Sequence, residues 1–211
     1  MERWFTLMCK DMSPLELAIQ FHGHICPGLL MGVRAAQLAM DQLSLERDRD
    51  EDLVAIVETD SCGVDALQAI LGCTFGKGNL IFKDYGKAVY TVIDRSSGRA
   101  LRIAQLRRAS GGTAGQRYRE LKGRTDLNQA EQEELEQALQ DLFEEIMTCP
   151  YEELFNWKEV RVDLPPRAHI YNTLTCAGCG EGVMEPRAIK SGDRVLCQPC
   201  FEVQKGGNTD V

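Results

Sequence analysis

The chain has 211 residues, 44% of them hydrophobic, and a net charge of −8. That length suits one good-sized domain and a small second one, and no wholly apolar run is long enough to span a membrane or to form the core of a signal peptide after the opening MERWFTLMCK. Ten acids and no Lys or Arg fall between residues 125 and 157, which leaves the rest at +2 and argues against a partner nucleic acid held through its phosphates.

Nine cysteines in such a chain point to a reducing compartment, the cytoplasm, and to thiols that bind metal or react rather than form disulfides. In chain order, Ser13, Pro14 and Glu16 form a capping box that opens a helix carrying Leu15, Ala18, Ile19 and His22 on one stripe. A second helix is predicted from Cys26-Pro27 to Leu43, with Cys26 at its N-terminus. LVAIV, residues 53–57, reads as a strand, TDSCGVD as a turn containing Cys62, and VDALQAIL as a helix stopped by Gly72. NLIF, AVYTVID and ALRIAQL follow as three strands between turn-forming residues, which predicts an antiparallel meander. Residues 107–127 are expected to form a mobile connection with some helix. Asn128 and Glu131 then cap an amphipathic helix striped by Leu135, Ala138, Leu139, Leu142 and Ile146. Pro165-Pro166 marks a hinge, so the expected domains are 1–165 and 166–211.

The sharpest chemical signal is Cys176, Cys179, Cys197 and Cys200, two C-x-x-C knuckles at the spacing of a four-thiolate zinc site. Four thiolates leave no open coordination position, so the expected role is structural, with zinc as the metal and iron or an iron–sulfur cluster as the alternative. The finger region carries no basic patch. The second signal is FHGHICPG, where His22, His24 and Cys26 alternate beside a helix N-terminus; Cys62 opens another helix. Helix N-termini stabilise thiolates, and imidazole with thiolate suits a divalent transition metal with an open position. Two other readings of these residues stand beside it: plain packing, or a thiol nucleophile at Cys26 or Cys62 with His22 or His24 as base. GCTFGKGN is not a P-loop: its spacing is short, glycine stands where Ser or Thr is needed, and it follows a helix.

FHGHICPGLLMGVR, VETDSCGVDALQAILGCTFGKGNL, DYGKAVYTV and the tail from Leu164 to Cys200 together resemble the FmdE family, named for a component of formylmethanofuran dehydrogenase and including its bacterial relatives. The resemblance implies an α+β core with helices packed on an antiparallel sheet, a homodimer and a C-terminal treble-clef zinc finger. It also implies a cleft lined by His22, His24, Cys26, Asp60, Cys62, Cys73 and Lys77, with Cys62, Cys26 and Lys77 as the catalytic candidates. The expected function is that of a metal-binding accessory protein or relative of the molybdenum or tungsten enzyme, linked through it to methanogenesis, with other subunits of that oxidoreductase as partners. The chain lacks the ferredoxin-type cysteine runs of the electron-carrying subunits and is not the whole catalytic unit. A stand-alone metal- or thiol-dependent enzyme acting on a small molecule, and a metal-delivery protein, are the alternatives.

Overall fold

The computed structural model describes residues 12–48, 50–106 and 112–206. The chain divides into two compact units, Met1–Ala168 and His169–Val211. Among the described residues no helix is long and apolar enough to cross a membrane.

The first unit is α+β, as the sequence implies. Helix α1, Pro14–His22, starts from the Ser13–Glu16 capping box. Helix α2, Pro27–Leu43, is the hub: ten of its 17 residues are buried. Helix α3, Gly63–Leu71, packs across α2 through glycines. A Cβ on Gly32 would overlap the backbone of Gly63, and one on Gly63 would overlap the hydroxyl of Tyr90. Backbone therefore meets backbone where these helices cross. Helices α4, Thr113–Lys122, and α5, Gln129–Thr148, pack on one another, α5 being opened by the predicted Asn128–Glu131 capping box. A single turn, α6, Tyr151–Leu154, follows. The helix in α4 is the one expected within 107–127; the rest of that expectation falls partly on 107–111, outside the described residues.

Five strands form one sheet in the order β2-β1-β3-β4-β5: β1, Leu53–Val57; β2, Leu80–Phe82; β3, Val89–Asp94; β4, Ala100–Gln105; and β5, Phe155–Val160. The predicted meander needs correcting. β2 lies parallel to β1, pairing Ala55 with Leu80, whereas β3 lies antiparallel on the other side of β1, pairing Ile56 with Thr91. The cause is α3: a helix between two strands returns the chain to the end where the first strand began, so the second strand runs parallel. The link from β2 to β3 then hooks over the end of β1, with Lys83 N–H donating to the Val57 carbonyl and Lys87 N–H to the Glu58 carbonyl. β3–β4 is the expected hairpin. β5 was not foreseen, because FNWKEV alternates apolar and polar residues over a short edge strand; it pairs antiparallel with β4.

β1 is buried along its whole length because both faces of the sheet are covered. Leu53, Ala55 and Val57 face the helices, while Val54 and Ile56 join Ile93 and Ala100 on the opposite face, where Val162 packs. Residues 161–168 strap that face: Arg95 donates to the carbonyls of Pro165 (2.6 Å) and Pro166 (3.2 Å), Arg167 pairs with Asp52 (2.8 Å), and Ala168 N–H donates to Glu51 (2.7 Å).

The second unit carries two hairpins and a helix: β6, Thr173–Thr175, with β7, Gly182–Met184; β8, Ile189–Ser191, with β9, Arg194–Leu196; and α7, Gln198–Gln204. This is the treble-clef order of knuckle, hairpin and helix.

Replacing Gly32 with Ala inserts a methyl against backbone that cannot rotate away. Gly32→Ala is expected to lower stability by about 1–3 kcal/mol, read as a fall in the urea midpoint. Gln140→Ala, on the exposed side of α5, serves as the control and leaves the midpoint unchanged.

Candidate metal centres

The core cluster is built where three helix ends converge. Gly23 closes α1 at φ 91°, a left-handed conformation that glycine adopts without strain, and so turns the chain straight after His22. Three residues on, Cys26 is the N-cap of α2, its Sγ accepting from Leu29 N–H at 3.4 Å. The rings of His22 and His24 lie with centroids 4.5 Å apart, and Cys26 Sγ is 3.9 Å from His22 Nε2. One ligand atom from each of His22, His24 and Cys26 lies within 4.8 Å of the others. Cys62 caps α3 on the far side of Gly28: a Cβ built there would sit 3.3 Å from the Cys62 Cβ, and 3.9 and 4.0 Å from the sulfurs of Cys62 and Cys26. Burial, and then the neighbouring Cys26, push the Cys62 thiol up.

Three residues beyond Cys62, on the same side of α3, Asp65 holds the other nitrogen of His22: Nδ1 to Oδ2 is 2.6 Å. A carboxylate on the back of a histidine fixes the ring and raises its strength as a ligand, which is the arrangement found behind metal-bound imidazoles. Asp65 was missed in the sequence. Its signal was the i,i+3 spacing from Cys62 on a helix. Lys122, at the end of α4, was missed too: its ammonium lies 5.2 Å from the centre of the Tyr118 ring, and Tyr118 first, with Cys26 adding a smaller effect, raises its pKa. Tyr90 closes the floor, its hydroxyl lying against Gly63 and its pKa pushed up by burial.

The glycine-rich turn lies elsewhere. Cys73 and Lys77 follow the C-terminus of α3, a helix of nine residues or about 13 Å from the end that holds Cys62. Lys77 Nζ pairs with Asp48 Oδ2 at 3.1 Å and with the Asp50 carbonyl at 2.7 Å, while Asn79 clamps Asp48 to the Leu53 carbonyl. Cys73 is fully buried there, and that burial pushes its thiol up to about 12, far from a reactive state. Asp60 is exposed in the turn before Cys62.

In the second unit Cys176 follows β6, Cys179 ends the knuckle, Cys197 caps α7 and Cys200 lies in its first turn. All four sulfurs fall within 4.8 Å of one another, with Cys197 Sγ 3.6 Å from that of Cys176 and 3.9 Å from that of Cys179. Zinc–sulfur bonds of about 2.3 Å in a tetrahedron require sulfurs about 3.8 Å apart, so the four residues fit the ion. Backbone N–H groups of Cys179, Cys197 and Gly178 hold the Cys176 thiol down to about 6, favouring the thiolate that zinc needs. A Cβ on Gly178 would collide with Cys200, at 2.9 Å or less.

Residues 21–156 match the family model described as FmdE, molybdenum formylmethanofuran dehydrogenase operon. The chain belongs to the FmdE family. Residues 169–205 match the prokaryotic dksA/traR C4-type zinc finger. The FmdE chain is also 32% identical over 191 residues to a probable S-adenosyl-L-methionine-binding protein of Archaeoglobus fulgidus. That match covers 87% of this chain and 51% of the relative, so the chain spans about half the relative's length. In fold it is similar to a tungsten formylmethanofuran dehydrogenase FmdE-like protein from Syntrophus aciditrophicus, with a TM-score of 0.62, 23% identity, and 94% and 96% of the two chains covered. The FmdE core and the zinc-finger tail thus account for the two cysteine-bearing clusters separately.

Loss of one tail ligand leaves three thiolates and no closed shell. Cys197→Ser is expected to remove one zinc equivalent per chain and to open residues 169–206 to proteases, measured by elemental analysis and limited digestion.

Proposed function

We propose that this protein is a metal-binding accessory component or relative of molybdenum or tungsten formylmethanofuran dehydrogenase, and that it holds a divalent transition metal in its core. Family membership and the zinc finger support the coarse reading. The observation that carries the core site is the Asp65–His22 pair, whose 2.6 Å contact aims the remaining imidazole nitrogen toward Cys26 in a cluster that also holds His24. His22, His24 and Cys26 would bind the ion, with Cys62 the adjoining thiol. Three protein ligands leave a position for a small molecule, and a metal there supplies a Lewis acid.

The chain's own residues do the rest. Asp65 orients His22, and the amide of Leu29 donates to the Cys26 sulfur, holding it at the mouth of the cluster. A reducing cytoplasm suits its free thiols, and a homodimer and association with other subunits of the dehydrogenase, hence a link to methanogenesis, belong to this proposal. A second reading rests on the 32% identity with the archaeal protein named for S-adenosyl-L-methionine: the same cleft takes that compound.

Elemental analysis of full-length protein tests the first reading. Two metal equivalents per chain are expected, falling to one in His22→Ala/Cys26→Ser and, separately, to one in Cys197→Ser. A single equivalent that survives the core substitutions and is lost with Cys197 removes the core metal. Calorimetric titration with S-adenosyl-L-methionine tests the second: heat that appears with the wild type and vanishes in His22→Ala supports it, and no heat with the wild type ends it.

A further inference from the structure

The glycine-rich turn stands apart from the core cluster, yet hydrogen bonds tie it to His22. Phe75 N–H lies 3.3 Å from Gln68 Oε1, Gln68 Nε2 lies 3.3 Å from Asp65 Oδ1, and Asp65 Oδ2 lies 2.6 Å from His22 Nδ1. These four residues come from the end of α1, two adjacent turns of α3 and the turn after it.

The direction of this chain of bonds is fixed by chemistry. A backbone N–H only donates, so Gln68 must present its oxygen to Phe75. Its amide nitrogen then faces Asp65 and donates. The carboxylate of Asp65 only accepts, from Gln68 on one oxygen and from His22 on the other. Nδ1 therefore carries the proton of the neutral imidazole, and Nε2 is left with its lone pair toward Cys26.

We propose that Asp65 sets the tautomer of His22 and that the relay from the Phe75 backbone through Gln68 fixes the orientation of the group at position 65, which makes Asp65 and Gln68 positioning residues for that side chain. The use of this tautomer as a metal ligand rests on the function proposed above; the tautomer itself does not. The turn GCTFGKGN thereby acquires a role that its place outside the cleft did not suggest: its Phe75 N–H is the fixed donor that decides which end of the Gln68 amide meets position 65.

The one-way order yields a result that simple structural support would not. In Asp65→Asn, Gln68 still demands an acceptor, so the Asn oxygen stays on Gln68 and the new amide nitrogen meets His22 Nδ1. His22 must then accept there and move its proton to Nε2, the wrong tautomer for a ligand. Removing Gln68 as well frees the Asn amide to turn and offer its oxygen to His22. The second substitution is thus expected to repair the first.

The experiment is long-range proton–nitrogen NMR on ¹⁵N-labelled full-length protein at mildly alkaline pH, after a mild chelator has cleared the core, with His22→Ala to assign the signal. The wild type and Gln68→Ala are expected in the Nδ1–H form, Asp65→Asn in the Nε2–H form, and Asp65→Asn/Gln68→Ala returned toward Nδ1–H. Zinc titration of the same proteins is expected to show core affinity weakened by on the order of 10–100-fold in Asp65→Asn and partly regained in the double variant. A wild type in the Nε2–H form, or a double variant indistinguishable from Asp65→Asn, overturns the relay even if zinc binds. Tautomers that behave as described in a wild type whose core takes no zinc uphold the relay and remove the metal from the proposed function.

Discussion

Contact between the backbones of Gly32 and Gly63 is the constraint on which the rest of this structure depends. Because neither residue carries a side chain, α2 and α3 cross at a distance that no other pair of residues would permit, and their N-termini come together. Cys26 and Cys62 are the caps of those two helices, so the crossing brings them together from 36 residues apart. Tyr90 fills the remaining space against Gly63 from the sheet side. α1 then needs only to end beside α3, with Gly23 turning the chain, for His22 to reach Asp65 and for His24 to follow it round. The cluster is thus a by-product of helix packing, and its geometry is as rigid as the core beneath it.

Much of this was legible in the sequence because the signals are local. The two capping boxes, the proline and cysteine that open α2, and the glycines that close α1 and α3 each act within one turn of helix, and each lies where its pattern places it. The tail cysteines were legible for a different reason: tetrahedral coordination restricts spacing so tightly that the pattern alone carries the geometry. Strand pairing was less accessible. LIF and VYTVID read as strands whichever neighbour they choose, and the parallel position of β2 is decided by the helix between it and β1, not by its own residues.

The site divided along the same line. His22, His24 and Cys26 share one short segment and were visible. Asp65 was not, because a carboxylate on a helix is most often solvated, and its meaning here comes from an α1 terminus placed against it by tertiary packing. Lys122, whose pKa Tyr118 raises first and Cys26 by a smaller effect, lies 96 residues beyond Cys26 along the chain, with no shared motif to announce it. Conversely, Cys73 and Lys77 belong to the same continuous stretch of family resemblance as Cys62, yet α3 carries them to its opposite end, where Asp48 and Asn79 take Lys77 into a structural network. Proximity in a motif was a poor guide once a whole helix intervened.

The second unit, by contrast, has almost nothing to fold around. Among its described residues only Cys176 and Leu196 are buried, so the apolar area that holds the first unit together is missing. With zinc as its ligand, its stability is accordingly a mass-action quantity, growing with the logarithm of free zinc above the dissociation constant and gaining about 2.7 kcal/mol at a hundredfold excess. The two units would thus answer to a metal ion in different degrees: the first has an apolar core to fold around whether or not its cluster is filled, whereas the second would depend on the chemical potential of the ion. A cell short of zinc would carry the same polypeptide with an intact core and an unravelled tail, and whatever the tail recognises would be available only in cells with zinc to spare.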